Sequence, residues 1–216
     1  MKQFKIIDQL QLVDGVLMCK KPSGRSFQRA HYRQGDLDGA CGAYSISMVL
    51  NILGVFHADE INSNSDKADN RFAERRLIKA LNEQGLYRDG LNSNDIQVIL
   101  SKNYSKYVNI NSFTKNEYNI LKLIVDNLND NTPVVLGIRF NKENGHWVVV
   151  VGYEIDAQGE IKALLTLDPG VNSPTYSYWN GIINLKKAHR KTYGYLYTTD
   201  NSTMIDFDEI IIVNKK

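Results

Sequence analysis

Four side chains of this sequence are suited to covalent acyl-transfer chemistry: a cysteine, a histidine, an aspartate and a glutamine. Cys41 stands between an alanine and a glycine, seven positions after Gln34, and His146 and Asp168 follow much later in the chain. A thiolate attacks a carbonyl carbon, an imidazole takes up and returns the proton, a carboxylate orients the imidazole, and an amide donates to the oxyanion. These residue types predict a nucleophilic site, provided that the fold brings the four side chains together.

The residues after Cys41 predict a helix. Apolar positions recur there at helical spacing and form one stripe, made of Ile46, Val49, Leu50 and Leu53. Asp38-Gly39 is a turn signal before the stripe and Gly54 is a stop after it, so the helix is predicted over 41–53. Cys41 then lies in the first turn, where unpaired N–H groups and the helix dipole favour a thiolate. Its backbone N–H is a predicted oxyanion donor beside the Gln34 amide.

Two apolar runs predict the strands that hold the base and the acid. His146 leads a tryptophan and four valines, which are typical of a buried strand over 146–154. Asp168 ends a second apolar run, 161–167, and a Pro-Gly pair follows it. The polar, glycine-containing segment 156–159 predicts a hairpin loop between them. A hairpin puts His146 and Asp168 on neighbouring strands, where the carboxylate can fix the imidazole tautomer.

In this order and local context, the sequence resembles the papain-like cysteine protease superfamily. The features that carry the resemblance are a glutamine before a cysteine–glycine pair at a helix start, a histidine leading a valine-rich strand, and a later acid. The His-Trp and Asp-Pro pairs resemble most its bacteriocin-processing, double-glycine peptidase branch and related bacterial papain-like effector toxins. The resemblance covers residues 30–55 and 133–170. The residues that match are Gln34, Cys41, His146 and Asp168.

The resemblance implies a fold, a reaction and a set of partners. The fold is α+β, with an N-terminal helical layer whose nucleophile helix packs on a C-terminal antiparallel sheet. The reaction is peptide-bond hydrolysis by a thiol protease with a Cys41–His146–Asp168 triad and Gln34, with a preference for Gly-Gly before the cut. The partners are a protein or peptide substrate and, for an antibacterial effector toxin, an immunity protein that covers the cleft. Two alternatives stay open: a glutamine deamidase or acyltransferase with the same triad, and a non-catalytic binding module.

The chain is long enough for one large domain, and we predict a single peptidase domain over 1–216. Its parts are N-terminal strands and a loop in 1–30, a mainly helical half in 31–130, and an antiparallel sheet half in 131–216. The remaining elements follow from periodicity and turn signals. We predict two short strands within 4–19, helices over 71–83, 93–100 and 116–128, strands over 132–140, 192–198 and 209–213, and a polar loop or short helix over 57–70.

Composition narrows the classes of function. The net charge is +2 among 216 residues, and no apolar run approaches the length of a membrane helix. The N-terminus lacks the apolar core of a signal peptide, so we expect a cytoplasmic protein or one delivered into a target cell's cytosol. The two cysteines are 22 positions apart and no metal-ligand spacing occurs, so we expect no disulfide framework, metal or cofactor. We also expect no membrane partner.

Each candidate also has a structural interpretation. Cys41 alone is compatible with an ordinary buried thiol, His146 alone with a core histidine, and Asp168 with a strand terminator before proline. Cys19 is typical of a structural strand residue. The other histidines lack a comparable context and are expected at the surface or in loops: His31, His57 and His189.

A cluster of basic residues over 186–191 is followed by three tyrosines, Tyr193, Tyr195 and Tyr197. Such a mixture occurs in nucleic-acid binders, but tyrosines at spacing two are also typical of a half-buried strand face. The nearly balanced total charge favours the strand, so we expect no nucleic-acid partner.

Overall fold

The computed structural model describes residues 3–35, 39–57, 72–83, 90–188 and 192–216. In them lie four helices: α1 Cys41–Ile52, α2 Ala73–Glu83, α3 Ser93–Tyr104 and α4 Ile120–Asn129. The strands of the same residues are β1 Gln3–Ile6, β2 Leu10–Val13, β3 Val16–Lys20, β4 Phe27–Arg29, β5 Val108–Thr114, β6 Val134–Arg139, β7 Gly145–Ile155, β8 Ile161–Leu167, β9 Gly181–Asn184, β10 Tyr195–Thr198 and β11 Ser202–Lys215.

Six of the described strands close into an antiparallel barrel. Going round it, β7 pairs with β8, β8 with β9, β9 with β10, β10 with β11, β11 with β6, and β6 with β7. β1 extends the pairing along β7, and β5 pairs with the second half of β11. Register shifts in β7 and β11 mark the irregularities that let long strands bend. The expected antiparallel sheet is therefore present, but it is a closed barrel rather than an open layer.

Helix α1 packs on the barrel as expected. It lies against β7 and β6, and its buried stripe includes Ile46, Val49 and Leu50. β6 up to Ile138 and the middle of β7 are buried, because one face lines the barrel interior and the other lies under the helix. The hydroxyl of Ser45 donates to the backbone oxygen of Trp147 across this interface, at 3.1 Å. This bond fixes the start of α1 relative to the start of β7.

A small antiparallel sheet, β2–β3–β4, lies on the other side of α1. Its first hairpin turns at Asp14 and Gly15, which both have positive φ angles, 50° and 78°. That conformation suits the two-residue turns of tight hairpins, so the sequence signal marks the turn correctly. Cys19 is fully buried in β3 and its thiol contacts the carbonyl of Asn51 at 3.5 Å, which agrees with a structural role.

Several predicted elements differ from the observed ones. The segment 4–19 holds three strands rather than two, the helix predicted to end at Leu100 continues to Tyr104, and the one predicted from Asn116 begins at Ile120. The sequence interpretation missed β4, β5 and β9, which are short or largely polar. The loop or helix predicted over 57–70 lies almost wholly outside the described residues. No helix in the described ranges is long and apolar enough to span a membrane.

Candidate active site

Cys41 is the first residue of α1 and is half-buried. The residue before it, Ala40, provides no side-chain cap for the first turn. Gly42 lets the helix approach the barrel closely: a β-carbon there would lie 3.2 Å from both Leu91 Cβ and Trp147 Cδ1. The local sequence thus places the sulfur at a helix N-terminus and holds that terminus tightly against β7.

His146 lies at the start of β7, opposite Ile138 of β6. Its Nε2 is 2.6 Å from Oδ1 of Asp168. The imidazole and the Cys41 thiol are also close enough that each shifts the pKa of the other. The Phe140 ring stacks beside the imidazole, with centroids 6.2 Å apart. The structure therefore brings the predicted thiol, imidazole and carboxylate together.

The carboxylate of Asp168 is only 4 % exposed, so it depends on protein donors for stabilisation. Oδ1 accepts from the His146 ring and from the backbone N–H of Gly170, at 2.6 and 2.7 Å. Oδ2 accepts from the hydroxyl of Tyr197 at 2.6 Å. A β-carbon on Gly170 would lie 3.1 Å from Oδ1, which explains a glycine at this point of the turn.

A second set of hydrogen bonds holds the backbone of Asp168. Its N–H donates to the Asn180 side chain at 2.7 Å, and its carbonyl accepts from the Asn180 amide at 3.0 Å and from His31 Nε2 at 2.7 Å. Since that carbonyl only accepts, Nε2 of His31 carries the proton and Nδ1 accepts from the Ser173 hydroxyl at 2.9 Å. His31 was expected at the surface or in a loop: it lies in a loop, but it is only 3 % exposed, because these bonds hold it under the acid turn.

Gln34 reaches the same groove as Cys41 and His146. Its backbone N–H donates to the carbonyl of Pro169 at 2.8 Å, which joins the glutamine segment to the acid turn. Its side-chain Oε1 is buried and has no hydrogen-bond partner among the described residues. The structure thus places Gln34, Cys41 and His146 around one opening, and Asp168 lies buried behind His146. Of the other histidines, His57 is exposed, whereas His189 lies outside the described residues.

The electrostatics of the three central groups favour an ion pair. Burial alone would raise the pKa of the Cys41 thiol, but the hydrogen bond and charge of His146 and backbone bonds from Trp147 and Gly42 lower it overall. Burial alone would lower the pKa of His146, but the bonds and charges of Asp168 and Cys41 raise it to about 10. The pKa of Asp168 is lowered in spite of burial, chiefly by His146. A thiolate facing an imidazolium is the state these shifts favour.

The opening is a groove of about 660 Å³. Buried Trp147 forms part of its wall, held by an indole N–H that donates to the carbonyl of Leu91 at 2.7 Å. The guanidinium of Arg139 also lines it and is paired with Asp208 at 2.7 Å. Further carboxylates line the groove, so its wall is acidic: Asp95, Glu143 and Glu209. Cys41 is itself among the residues that line this groove.

Sequence reasoning missed Tyr197 and Asn180. Tyr197 lies in the tyrosine-rich strand that the sequence singled out, and a buried tyrosine hydroxyl needs a partner, but the sequence does not say which. Asn180 follows a tryptophan in a loop without any pattern that distinguishes it. Asn180 contacts the acid from the loop before β9, and Tyr197 contacts it from β10, which is separated from β8 by β9.

The helix-borne thiol, the imidazole at the start of a valine-rich strand and the acid of the next strand define the class: the papain-like cysteine peptidase superfamily. Residues 25–200 match the Peptidase_C39 like family, which is most of the chain, and the protein belongs to that family. The family agrees with the bacteriocin-processing branch that the sequence resembles. A comparison with curated proteins gives no match.

Proposed function

We propose that this peptidase is a cysteine endopeptidase in which Cys41 is the nucleophile, His146 the general acid and base, and Asp168 the orienting acid. The observation that carries the proposal is the grouping of the three side chains: Cys41 and His146 line one groove and interact, and Nε2 of His146 is 2.6 Å from Oδ1 of Asp168. Membership of a peptidase family supports the reaction class.

The proposed reaction has two halves. The Cys41 thiolate attacks the substrate carbonyl carbon, and the oxyanion accepts hydrogen bonds from the Cys41 N–H and the Gln34 side-chain amide. When the intermediate collapses, the C–N bond breaks and the His146 imidazolium gives its proton to the leaving amine. Water then loses a proton to His146 and attacks the thioester, which releases the carboxylic acid and restores the thiolate. Asp168 stays ionised throughout and stabilises each imidazolium.

Gln34 enters this scheme through its position. Its backbone N–H donates to the carbonyl of Pro169, and the residue lines the groove together with Cys41 and His146. The side-chain NH2 group is the part of the amide that can donate to an oxyanion. The position of Gln34 in the groove supports the oxyanion role that the sequence assigns to it.

The decisive test compares the wild-type protein with Cys41→Ala. Each is incubated with a cell lysate, and new protein N-termini are quantified by mass spectrometry. We expect new termini only with the wild type and with Cys19→Ala, a matched control that removes the buried structural thiol. A mass increase of one dalton at glutamines, without new termini, would replace proteolysis by deamidation on the same triad. Equal N-terminal profiles for wild type and Cys41→Ala, without such a shift, would contradict both reactions.

We also propose a preference for Gly-Gly before the scissile bond, on the basis of family membership and of the groove walls. Trp147 and Leu91 lie against Gly42, the residue after Cys41, so closely that even a β-carbon there would be crowded. Small substrate residues suit such a constriction. Matched peptides with Gly-Gly and Ala-Ala before the cut test this: we expect a lower kcat/KM for Ala-Ala, and equal values would contradict the preference.

The biological role proposed from the resemblance is that of an antibacterial effector acting in a target cell's cytosol, with an immunity protein covering the groove. Its support is the likeness of the triad segments to bacterial effector toxins, and an open groove that a partner is able to cover. Expression of the wild type and of Cys41→Ala in a bacterial cytosol tests it. Growth arrest that depends on Cys41 is the expected result, and equal growth of the two strains contradicts it.

A further inference from the structure

Tyr197 reaches the acid of the site from a strand that is not its neighbour. β10, which carries Tyr197, pairs with β9, and β9 pairs with β8, at whose end Asp168 lies. Gly181 of β9 stands between them: a β-carbon there would lie 2.7 Å from the Tyr197 hydroxyl oxygen and 2.4 Å from Thr166 Oγ1. The glycine therefore provides the space through which the phenol crosses β9 to reach Oδ2 of Asp168 at 2.6 Å.

We propose that Tyr197 is a positioning residue of the peptidase, which acts through Asp168: its hydroxyl holds Oδ2, so that Oδ1 faces His146 and the carboxylate stays ionised. The inference rests on the proposed function, because it deepens the role of the same triad. Tyr197 itself faces neither the groove nor the sulfur and is 3 % exposed, so it is not a catalytic residue.

The distribution of donors around Asp168 is the physical argument. Oδ1 has two donors, the His146 ring and the Gly170 N–H, whereas Oδ2 has one among the described residues, the Tyr197 hydroxyl. A buried carboxylate oxygen that loses its donor favours the protonated acid, because the charge is then poorly compensated. A protonated Asp168 no longer stabilises the imidazolium, and the thiolate that depends on the imidazolium is lost with it.

Tyr197 is suited to this task over the whole pH range of interest. Burial and the neighbouring Asp168 charge raise its pKa well above the usual value for tyrosine, so the phenol remains a donor when the carboxylate is ionised. Its hydroxyl has a weaker second contact, to Thr166 Oγ1 at 3.5 Å. The bond to Asp168 is therefore the dominant one, and its ring packs in the core independently of it.

The test measures the reactivity of the Cys41 thiol rather than peptide hydrolysis. Alkylation of Cys41 by iodoacetamide is followed by mass spectrometry between pH 4 and 9 for the wild type, Tyr197→Phe and Tyr195→Phe. Tyr195 lies on the same strand and stacks on Phe207, with ring centroids 4.6 Å apart, so its hydroxyl is a matched control away from Asp168. Buried Cys19, whose pKa is raised to about 12, does not interfere.

The acid edge is the pH below which the rate of Cys41 alkylation falls. Tyr197→Phe is expected to shift this edge to higher pH. The rate at about pH 5 falls about tenfold, the loss expected from one charge-assisted hydrogen bond, while the rate at pH 8 changes less than about twofold. Tyr195→Phe keeps the wild-type edge. In an Asp168→Asn background, Tyr197→Phe produces no further shift, because the proposed effect passes through the carboxylate. An unchanged edge in Tyr197→Phe, or an equal additional shift in the Asp168→Asn background, overturns the proposal.

Two further measurements keep the result interpretable. Thermal unfolding shows whether Tyr197→Phe, which retains the ring, is folded under the conditions of alkylation. Gly181→Ala displaces the hydroxyl without altering Tyr197, and must move the acid edge in the same direction. Since alkylation needs no substrate, a shifted acid edge in Tyr197→Phe supports the positioning role even if no peptide is cleaved. A wild-type acid edge in Tyr197→Phe, together with full proteolysis, contradicts the positioning role and leaves the proposed function intact.

Discussion

The backbone N–H of Gln34 donates to the carbonyl of Pro169 at 2.8 Å, across a separation of 135 residues. This bond joins the segment that precedes the nucleophile helix to the turn that follows Asp168. His31 strengthens the same junction through its bond to the Asp168 carbonyl. Gln34 and Asp168 are therefore held by one connected piece of structure.

Replacement of Gln34 by alanine is predicted to lower kcat by about 100-fold to 1000-fold with little change in KM, as loss of one oxyanion donor does. The main-chain bond to Pro169 survives the substitution, so the site keeps its shape. Steady-state kinetics on a cleaved peptide measure both constants. Gln158→Ala, in the exposed hairpin between β7 and β8, is the matched control and should behave like the wild type. A raised KM at unchanged kcat would show that Gln34 binds substrate in its ground state instead.

The pH dependence of hydrolysis is predicted to be bell-shaped, with an alkaline limb close to pH 10. His146 has a pKa raised to about 10, and activity declines as pH rises through that value because the leaving amine loses its proton donor. On the acid side, activity declines as pH falls through the lowered pKa of Cys41, where the thiolate is protonated. Initial rates at saturating and limiting substrate define both limbs. An alkaline limb near the ordinary histidine value would contradict the ion pair.

Three of the four predicted site residues were accessible to sequence reasoning because each lies beside a strong local pattern. Cys41 starts an amphipathic helix, His146 leads a run of valines, and Asp168 ends an apolar strand before proline. Local periodicity therefore fixed their elements, and the short hairpin between β7 and β8 made the pairing of base and acid a local matter. Resemblance to a known family then joined these segments to Cys41 and Gln34.

The closed barrel and the residues that hold Asp168 could not be predicted from local sequence patterns. Closure depends on β11 pairing with β6 and on the short β9 joining β8 to β10, and neither contact leaves a pattern in the sequence. Tyr197 contacts Asp168 only because Gly181 leaves space between them. His31 is buried by bonds to a turn 137 residues away. Such long-range contacts are set by topology, which the local pattern of apolar residues does not encode.

Buried His31 is predicted to make the protein less stable as pH falls below neutrality. Burial lowers its pKa, against the smaller opposing effects of the Asp168 carbonyl and charge, so the folded protein resists protonating it. The unfolded chain takes up that proton near the ordinary value of 6.5, and stability is therefore lost as pH falls through 6.5. Urea unfolding at pH 7 and pH 5 measures the difference in free energy.

A substitution isolates this effect from other titrating groups. His31→Gln keeps a donor for the Asp168 carbonyl but cannot titrate, so its stability should change less between pH 7 and 5 than that of the wild type. His57→Gln alters an exposed histidine and should show the same dependence of unfolding free energy on pH as the wild type. An equal change in unfolding free energy between pH 7 and 5 for His31→Gln and wild type would mean that another group causes the loss of stability at acid pH.

Gly42→Ala is predicted to destabilise the protein, although alanine is the better helix former. The substitution gains up to about 1 kcal/mol from helix propensity. The new methyl group, however, meets Leu91 Cβ and Trp147 Cδ1 at 3.2 Å, and overpacking of a tight interface typically costs about 1–3 kcal/mol. Because Trp147 is held by its indole bond to the Leu91 carbonyl, neither neighbour moves freely, and the cost should exceed the gain.

Urea unfolding of Gly42→Ala checks the sign of the change in stability, and the rate of Cys41 alkylation at neutral pH checks whether α1 has been pushed away from His146. Increased stability with an unchanged alkylation rate would show that the interface between α1 and β7 accommodates an additional methyl group.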